Sequence, residues 1–239
     1  MTAAAEVSLS YQLVLRNQLD ITANNIANTT TPGFQSSHPL FVEYLAEASD
    51  GSTVTYVEDR GTIRNLNAGP LTNTGNTLDL GIQGSGYFTV ENDAGTFYTR
   101  NGSFRLDASG QIVTSAGDVL LGEGNAPIVI APGEHDIRVS GDGTVSTENG
   151  DIGKIPVVTF ADEQAMELVG NSLLKTEQDP ITSTTAEISQ GMIEGSNVLA
   201  VTEITRMIEL LRSYQAANQM ITTEEERQQQ AIELLTRTV

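Results

Sequence analysis

Two histidines and a surplus of carboxylates are the main reactive side chains, because cysteine is absent and 31 acidic residues stand against 12 basic ones. Without cysteine there is no thiolate nucleophile, no disulfide and no Cys-based zinc site. His38 adjoins Pro39, His135 lies between Glu134 and Asp136, and two lone histidines do not make a metal ligand set. Asp142, Glu148 and Asp151 come nearest to a calcium loop, but no EF-hand loop is complete. Two carboxylates about 5–9 Å apart can hydrolyse a glycoside. With 31 acids such a pair arises by coincidence, and there is no Trp to stack on a sugar. The glycine pairs at Gly84/Gly86, Gly122/Gly124 and Gly141/Gly143 lack the third glycine of a dinucleotide fingerprint and fall between strand patterns, so they read as turns. No serine has glycine two residues away on both sides, which removes a nucleophile elbow. These residues give no catalytic, cofactor-binding or metal site.

Charge narrows the partners. The formal net charge is −19, and the basic residues are scattered singly, whereas phosphate recognition needs clustered Lys and Arg. Nucleic acid is excluded. Residues 1–32 carry net −1 and residues 196–239 net −2, so −16 falls on the middle of the chain. Repulsion between copies is therefore weakest along the two ends. No run of about 18 apolar residues occurs, which argues against a membrane span. The first residues, Met1 to Glu6, lack a basic leader, so a cleaved secretory signal is not expected.

All glycines and prolines lie between Pro32 and Gly195, leaving both ends free of helix breakers. From Val7 to Ala27, Tyr11, Leu15, Leu19 and Ile26 recur at helical spacing. This helix should fail near Asn28, where Thr29 to Thr31 run into Pro32. Asn24 and Asn28 lie one turn apart on one face, placed for polar contact with a neighbouring helix or for fraying at the helix end. At the other end, Ser196 or Asn197 suits an N-cap. Beyond it Ile204, Met207, Leu211, Tyr214, Asn218, Ile221, Glu225, Gln228, Ile232 and Leu235 follow alternating three- and four-residue steps, the seam of a coiled coil. A helix of that length spans roughly 60 Å, and a partner of about 25 residues covers roughly 38 Å of it. A two-helix hairpin would thus leave apolar surface over for other subunits. The stripe residues of both helices are the candidate subunit interface.

Between the ends, apolar residues alternate or come in short β-branched runs, as at Tyr87 to Val90, Thr96 to Thr99, Phe104 to Leu106 and Ile155 to Phe160. Turn sequences such as Asn92-Asp93-Ala94-Gly95 and Ser140-Gly141-Asp142-Gly143 separate them. The fold class is α+β. Residues 1–32 and 196–239 should form a discontinuous, coiled-coil-like helical domain, residues 33–77 an extended connector with some strand, and residues 78–195 a β-rich, antiparallel outer domain.

Three motifs carry a family resemblance. Leu19-Asp20-Ile21-Thr22-Ala23-Asn24-Asn25-Ile26-Ala27-Asn28 followed by Pro32-Gly33-Phe34 resembles the amino-terminal signature of bacterial flagellar axial proteins, the rod and hook subunits. Asp79 to Phe88 and Tyr98 to Phe104 resemble that family's central motifs, and Gly195 to Val198 with Met207-Ile208-Glu209 and Arg212-Ser213-Tyr214 its carboxy-terminal one. The ending Met220 to Leu235 and the segment Phe41 to Leu45 are similar to the proximal-rod branch. The resemblance implies a structural, non-enzymatic subunit without a cofactor. Its partners would be copies of itself, neighbouring rod subunits and the flagellar type III export apparatus. It would be exported without a cleaved signal, assemble as rod within the periplasm, and bury its terminal helices in inner layers with the acidic β domain outward.

Overall fold

The computed structural model describes residues 3–47, 53–134, 136–170 and 172–237. The chain divides into two compact units, one of residues 1–27, 37–65 and 199–239, the other of residues 28–36 and 66–198. The first unit holds two helices and a hairpin. Helix α1 runs Ala3–Ala27 and stops where the threonine run toward Pro32 begins, as β-branching and the pre-proline restriction require. Strands β1 (Ser37–Glu47) and β2 (Thr53–Arg64) pair antiparallel from Ser37↔Arg64 to Glu47↔Thr53, with a register shift between Pro39 and Phe41. Proline has no N–H to donate to a ladder, so an irregularity beside it is expected. The segment read as connector from composition thus carries two long paired strands.

Helix α2 runs Ala200–Arg237, 38 residues or roughly 57 Å. It starts later than an N-cap at Ser196 or Asn197 would place it. Both caps are otherwise engaged: Ser196 Oγ accepts from Val198 N, and Asn197 Oδ1 accepts from Ser36 N. The helices run antiparallel, since Asn25 meets Glu203 near one end and Gln12 donates to Asn218 near the other.

The second unit is antiparallel β structure. Its strands are β3 (Leu71–Asn73), β4 (Leu80–Gln83), β5 (Phe88–Asn92), β6 (Gly95–Thr99), β7 (Phe104–Leu106), β8 (Ile112–Thr114) and β9 (Val119–Leu120). They continue with β10 (Arg138–Val139), β11 (Thr144–Thr147), β12 (Gly150–Lys154), β13 (Val158–Thr159), β14 (Glu167–Gly170), β15 (Leu173–Lys175), β16 (Ile181–Thr182), β17 (Glu187–Gln190) and β18 (Met192–Glu194). Seven form a sheet in the order β14-β15-β6-β5-β9-β8-β7, and β10-β11-β12 form a meander. Two pairings close the unit on itself: β4 with β17 and β3 with β18. Chain that enters early is thereby held by chain that leaves late.

Alternation along these strands fills a core of Leu80, Ile82, Phe88, Val90, Phe104, Ile112, Leu120, Val145 and Ile155, with Phe88 and Phe104 edge to face at 5.4 Å between ring centres. Such a pair adds about 0.5–1.5 kcal/mol beyond its buried area. A smaller cluster gathers Tyr87, Tyr98, Phe160 and Met166. Gly102 lies where a Cβ would come within 1.7 Å of the Leu80 carbonyl oxygen, so only glycine lets the backbones approach this closely.

Candidate functional site

Two places concentrate the residues singled out by sequence, one in each unit. In the first unit, α1 buries Val14, Leu15, Ile21, Thr22 and Asn25, and α2 buries Glu203 and Ala217. The covered column of α2 is completed by Met207, Leu210, Tyr214 and Ile221, all half-buried. Steps of four and three connect these positions, the spacing of a helix laid along another helix. The stripe residues are therefore divided. Leu15 is buried; Leu19, Ile26, Met207, Tyr214 and Ile221 are half-buried; Tyr11, Asn24, Ile204, Leu211 and Asn218 are exposed. Asn28 is half-buried and accepts from Thr31 Oγ1 in the second unit. The side chains of Gln228, Ile232 and Leu235 lie outside the described residues.

What α1 leaves uncovered on α2 includes an apolar flank in its first turns. Val201 is 79% exposed, and Ile204, Ile208 and Leu211 each more than 40%. They repeat every three or four residues and so line one flank. Leu9 and Leu13 of α1 are exposed as well.

One polar contact of this unit is enclosed. Asn25, 1% exposed, accepts from Ser37 N at 3.0 Å and donates to Ser37 O at 2.9 Å, so its side-chain amide pairs with the first residue of β1 like a strand. Its Nδ2 also donates to Glu203 Oε2 at 3.2 Å. Glu203 Oε1 lies 3.7 Å from Arg206, whose Nη1 is 3.2 Å from His38 Nδ1. A guanidinium only donates, which leaves Nδ1 of His38 as the acceptor. Spacing along α1 singles out Asn24 and Asn28; the asparagine the fold encloses is the one between them.

In the second unit the signature motifs converge. Arg100 donates to Glu194 Oε2 and to the carbonyls of Gly86 and Gly84, while Glu194 Oε1 accepts from Gly69 N. Both charged side chains are about 3% exposed or less. Gly33 donates to the Glu194 carbonyl with φ +65°, and a Cβ there would come within 2.5 Å of the Arg100 backbone. Asn197 ties three passages of chain together through Ser36 N, Phe34 O and Asn67 O. The chain leaves this unit after Ser36 and Val198 and re-enters at Leu66, so one asparagine gathers both exits and the re-entry. A lone Arg in a strand-rich sequence gives no sign of this; only its place inside a motif does.

No group of three acidic or histidine side chains is arranged to hold a metal among the described residues. His135 lies outside them. Asp142 is held below its usual carboxylate range by hydrogen bonds from Thr144 and by Lys154, so it is engaged within its own turn. Among the described residues no helix is long and apolar enough to cross a membrane.

Known proteins account for the convergence. Family descriptions match in chain order: "Flagella basal body rod protein" at residues 14–35, "Flagellar hook protein FlgE/F/G D1 domain" at 81–147, and "Flagellar basal body rod FlgEFG protein C-terminal" at 189–234. The flagellar basal-body rod protein FlgF of Caulobacter vibrioides is 39% identical, with 98% of each chain covered. The chain belongs to the flagellar basal-body rod protein family. FlgG of Bacillus subtilis is 31% identical over 92% of this chain and 94% of its own, and FlgF of Mesorhizobium japonicum 31% over 87% and 88%. This rod protein family is structural and not enzymatic, in keeping with a sequence that offers no catalytic set. The matched segments contain the polar knot at Asn25, the glycine elbow at Gly33, Arg100 and Glu194.

Proposed function

We propose that the chain is a structural subunit of the proximal flagellar rod that polymerises through α1 and α2 and passes torque along the shaft. The observation that carries this is the flank of α2 formed by Val201, Ile204, Ile208 and Leu211, exposed on a helix whose neighbouring column is already occupied by α1. Burying the free half of each side chain is worth about 1 kcal/mol, too little for one contact and enough when many subunits add theirs. The helices then serve as a coiled-coil-like polymerisation domain, residues 1–32 and 196–239, with the β-rich residues 78–195 outward and the segment between them as connector. Low charge at the ends supports close packing of helices, and the net −16 of the middle supports a solvated exterior. Copies of the chain, neighbouring rod subunits and the type III export apparatus are the partners, and the periplasm is the place of assembly, reached without a cleaved signal. The 39% identity to a FlgF favours the proximal position, and the FlgG relative at 31% makes the distal rod the second reading.

The test is disulfide cross-linking in intact basal bodies, which the cysteine-free chain permits without background. Single cysteines at Ile204 and Leu211 should form disulfides with a cysteine introduced into a neighbouring axial subunit or with the same cysteine of another copy. Links mainly to copies of the chain over a long stretch would move it to the distal rod, and no link at all would remove the helical flank from the assembly.

A further inference from the structure

We infer that Asn149 is a site of spontaneous covalent modification, an amide that the nitrogen of Gly150 converts to an acid through a cyclic imide while the chain stays folded. The inference concerns one hairpin of the β unit and holds whether or not the rod reading does.

The sequence has two Asn-Gly steps, Asn101-Gly102 and Asn149-Gly150. Glycine after asparagine hinders this reaction least, because no Cβ shields the backbone nitrogen and the backbone turns freely. The glycine N–H gives its proton to solvent base and the nitrogen attacks the asparagine Cγ. A C–N bond forms, the Cγ–Nδ2 bond breaks, and Nδ2 takes up a proton and leaves as ammonia. Water then opens the five-membered imide at one of its two carbonyls, giving aspartate or isoaspartate. Bringing nitrogen to Cγ requires the Asn-Gly peptide unit to rotate, so packing decides which step reacts. At Asn101 it is locked. Asn101 Oδ1 accepts from Ser103 N at 3.0 Å, Gly102 is buried with its carbonyl accepting from Leu80 N at 2.9 Å, and a Cβ on Gly102 would come within 1.7 Å of the Leu80 oxygen. Asn149 and Gly150 are instead exposed where β11 turns into β12, and nothing beyond the chain neighbours of Gly150 lies within 4 Å of its Cβ position. Strand β12 is an outer strand of its meander, so the tip opens without disturbing the core. The product changes its surroundings. Asn149 Nδ2 donates to Glu134 Oε1 at 3.3 Å, and conversion replaces that donor by a second carboxylate. An isoaspartate also adds a methylene to the main chain between Thr147 and Gly150, which pair across the ladder.

The test incubates the full-length chain in warm, mildly alkaline buffer, folded or in guanidinium chloride, and follows its tryptic peptides by mass against a sample digested at once. Cleavage after Arg100, Arg105, Arg138 and Lys154 puts each step alone in its own peptide, 101–105 and 139–154. In the folded chain the acid form of 139–154 should accumulate at least about tenfold faster than that of 101–105, because Asn101 reacts only after its surroundings open. In denaturant that ratio should fall toward one. Aspartate and isoaspartate should both appear, since either imide carbonyl can be attacked. Equal rates in the folded chain, or conversion of Asn149 in denaturant alone, overturn the inference. A ratio that persists in denaturant overturns it as well, because packing would not then be its cause, and aspartate without isoaspartate would show direct hydrolysis in place of the ring.

Discussion

Single residues matter here mostly through what is buried beside them. Arg100 and Glu194 are enclosed, paired at 2.6 Å, and further satisfied by three backbone groups. Removing one partner strands the other charge in a low-dielectric interior, which costs about 3–5 kcal/mol. Arg100→Met should therefore lower unfolding free energy by about that amount. Arg100→Met with Glu194→Leu should lower it by much less, and equal losses in urea titrations would show that the charge itself is not what matters. Tyr98 gives a prediction in pH. Burial raises its phenol above 10.0, so the folded state resists losing a proton that the unfolded chain gives up from about pH 10 upward. Stability is unaffected below that pH and falls as pH rises through 10.0 toward the folded value. Tyr98→Phe should flatten the alkaline fall relative to the parent, and parallel curves for the two proteins would show that Tyr98 does not contribute to it.

At the scale of elements, α2 is apolar on two flanks, and that explains both its reach and what periodicity can reveal. Alternating steps along the sequence mark Ile204, Leu211 and Asn218 as one half of a seam; the fold covers the adjacent column at Glu203, Leu210 and Ala217 and leaves that half exposed. Met207, Tyr214 and Ile221 belong to both readings. Periodicity shows that a stripe exists but not which of two neighbouring stripes meets α1, and a carboxylate such as Glu203 gives no hint of burial until its partner is known. The end of α1 at Ala27 was legible because threonine and proline act locally. The pairing of β3 with β18, some 120 residues apart, was not, because no local signal reports a distant partner. Substitutions should separate the flanks. Ala217→Leu overfills the covered one and should destabilise the isolated subunit by about 1–3 kcal/mol. Ile208→Glu on the exposed flank should leave thermal unfolding of the subunit within experimental scatter and abolish its incorporation into rods. Equal destabilisation by both changes would mean that the second flank is also covered within one chain.

For the whole molecule, the balance of buried surface predicts which unit survives alone. Among the described residues, the buried apolar side chains of the first unit are Val14, Leu15, Ile21 and Ala217, whereas the second unit holds all the rest, most of them in two clusters. Conformational entropy is lost along every ordered residue of both units, so the one with few enclosed side chains opens first and most often. The second unit has in addition the β3–β18 and β4–β17 closures and the Arg100–Glu194 pair, which hold its two ends together even if the excursion between Ser36 and Leu66 is cut. Limited proteolysis of the dilute, full-length subunit should thus remove residues 1–27 and 199–239 early and nick the segment 37–65. A resistant fragment of residues 66–198 should remain, with 28–36 still bound to it through Asn197. In assembled rods the same bonds should be protected, because the exposed flank of α2 would then be covered by neighbours. Rapid digestion of the β unit in the free subunit, or resistant helices before any assembly, would reverse the assignment of which unit depends on neighbours to complete its packing.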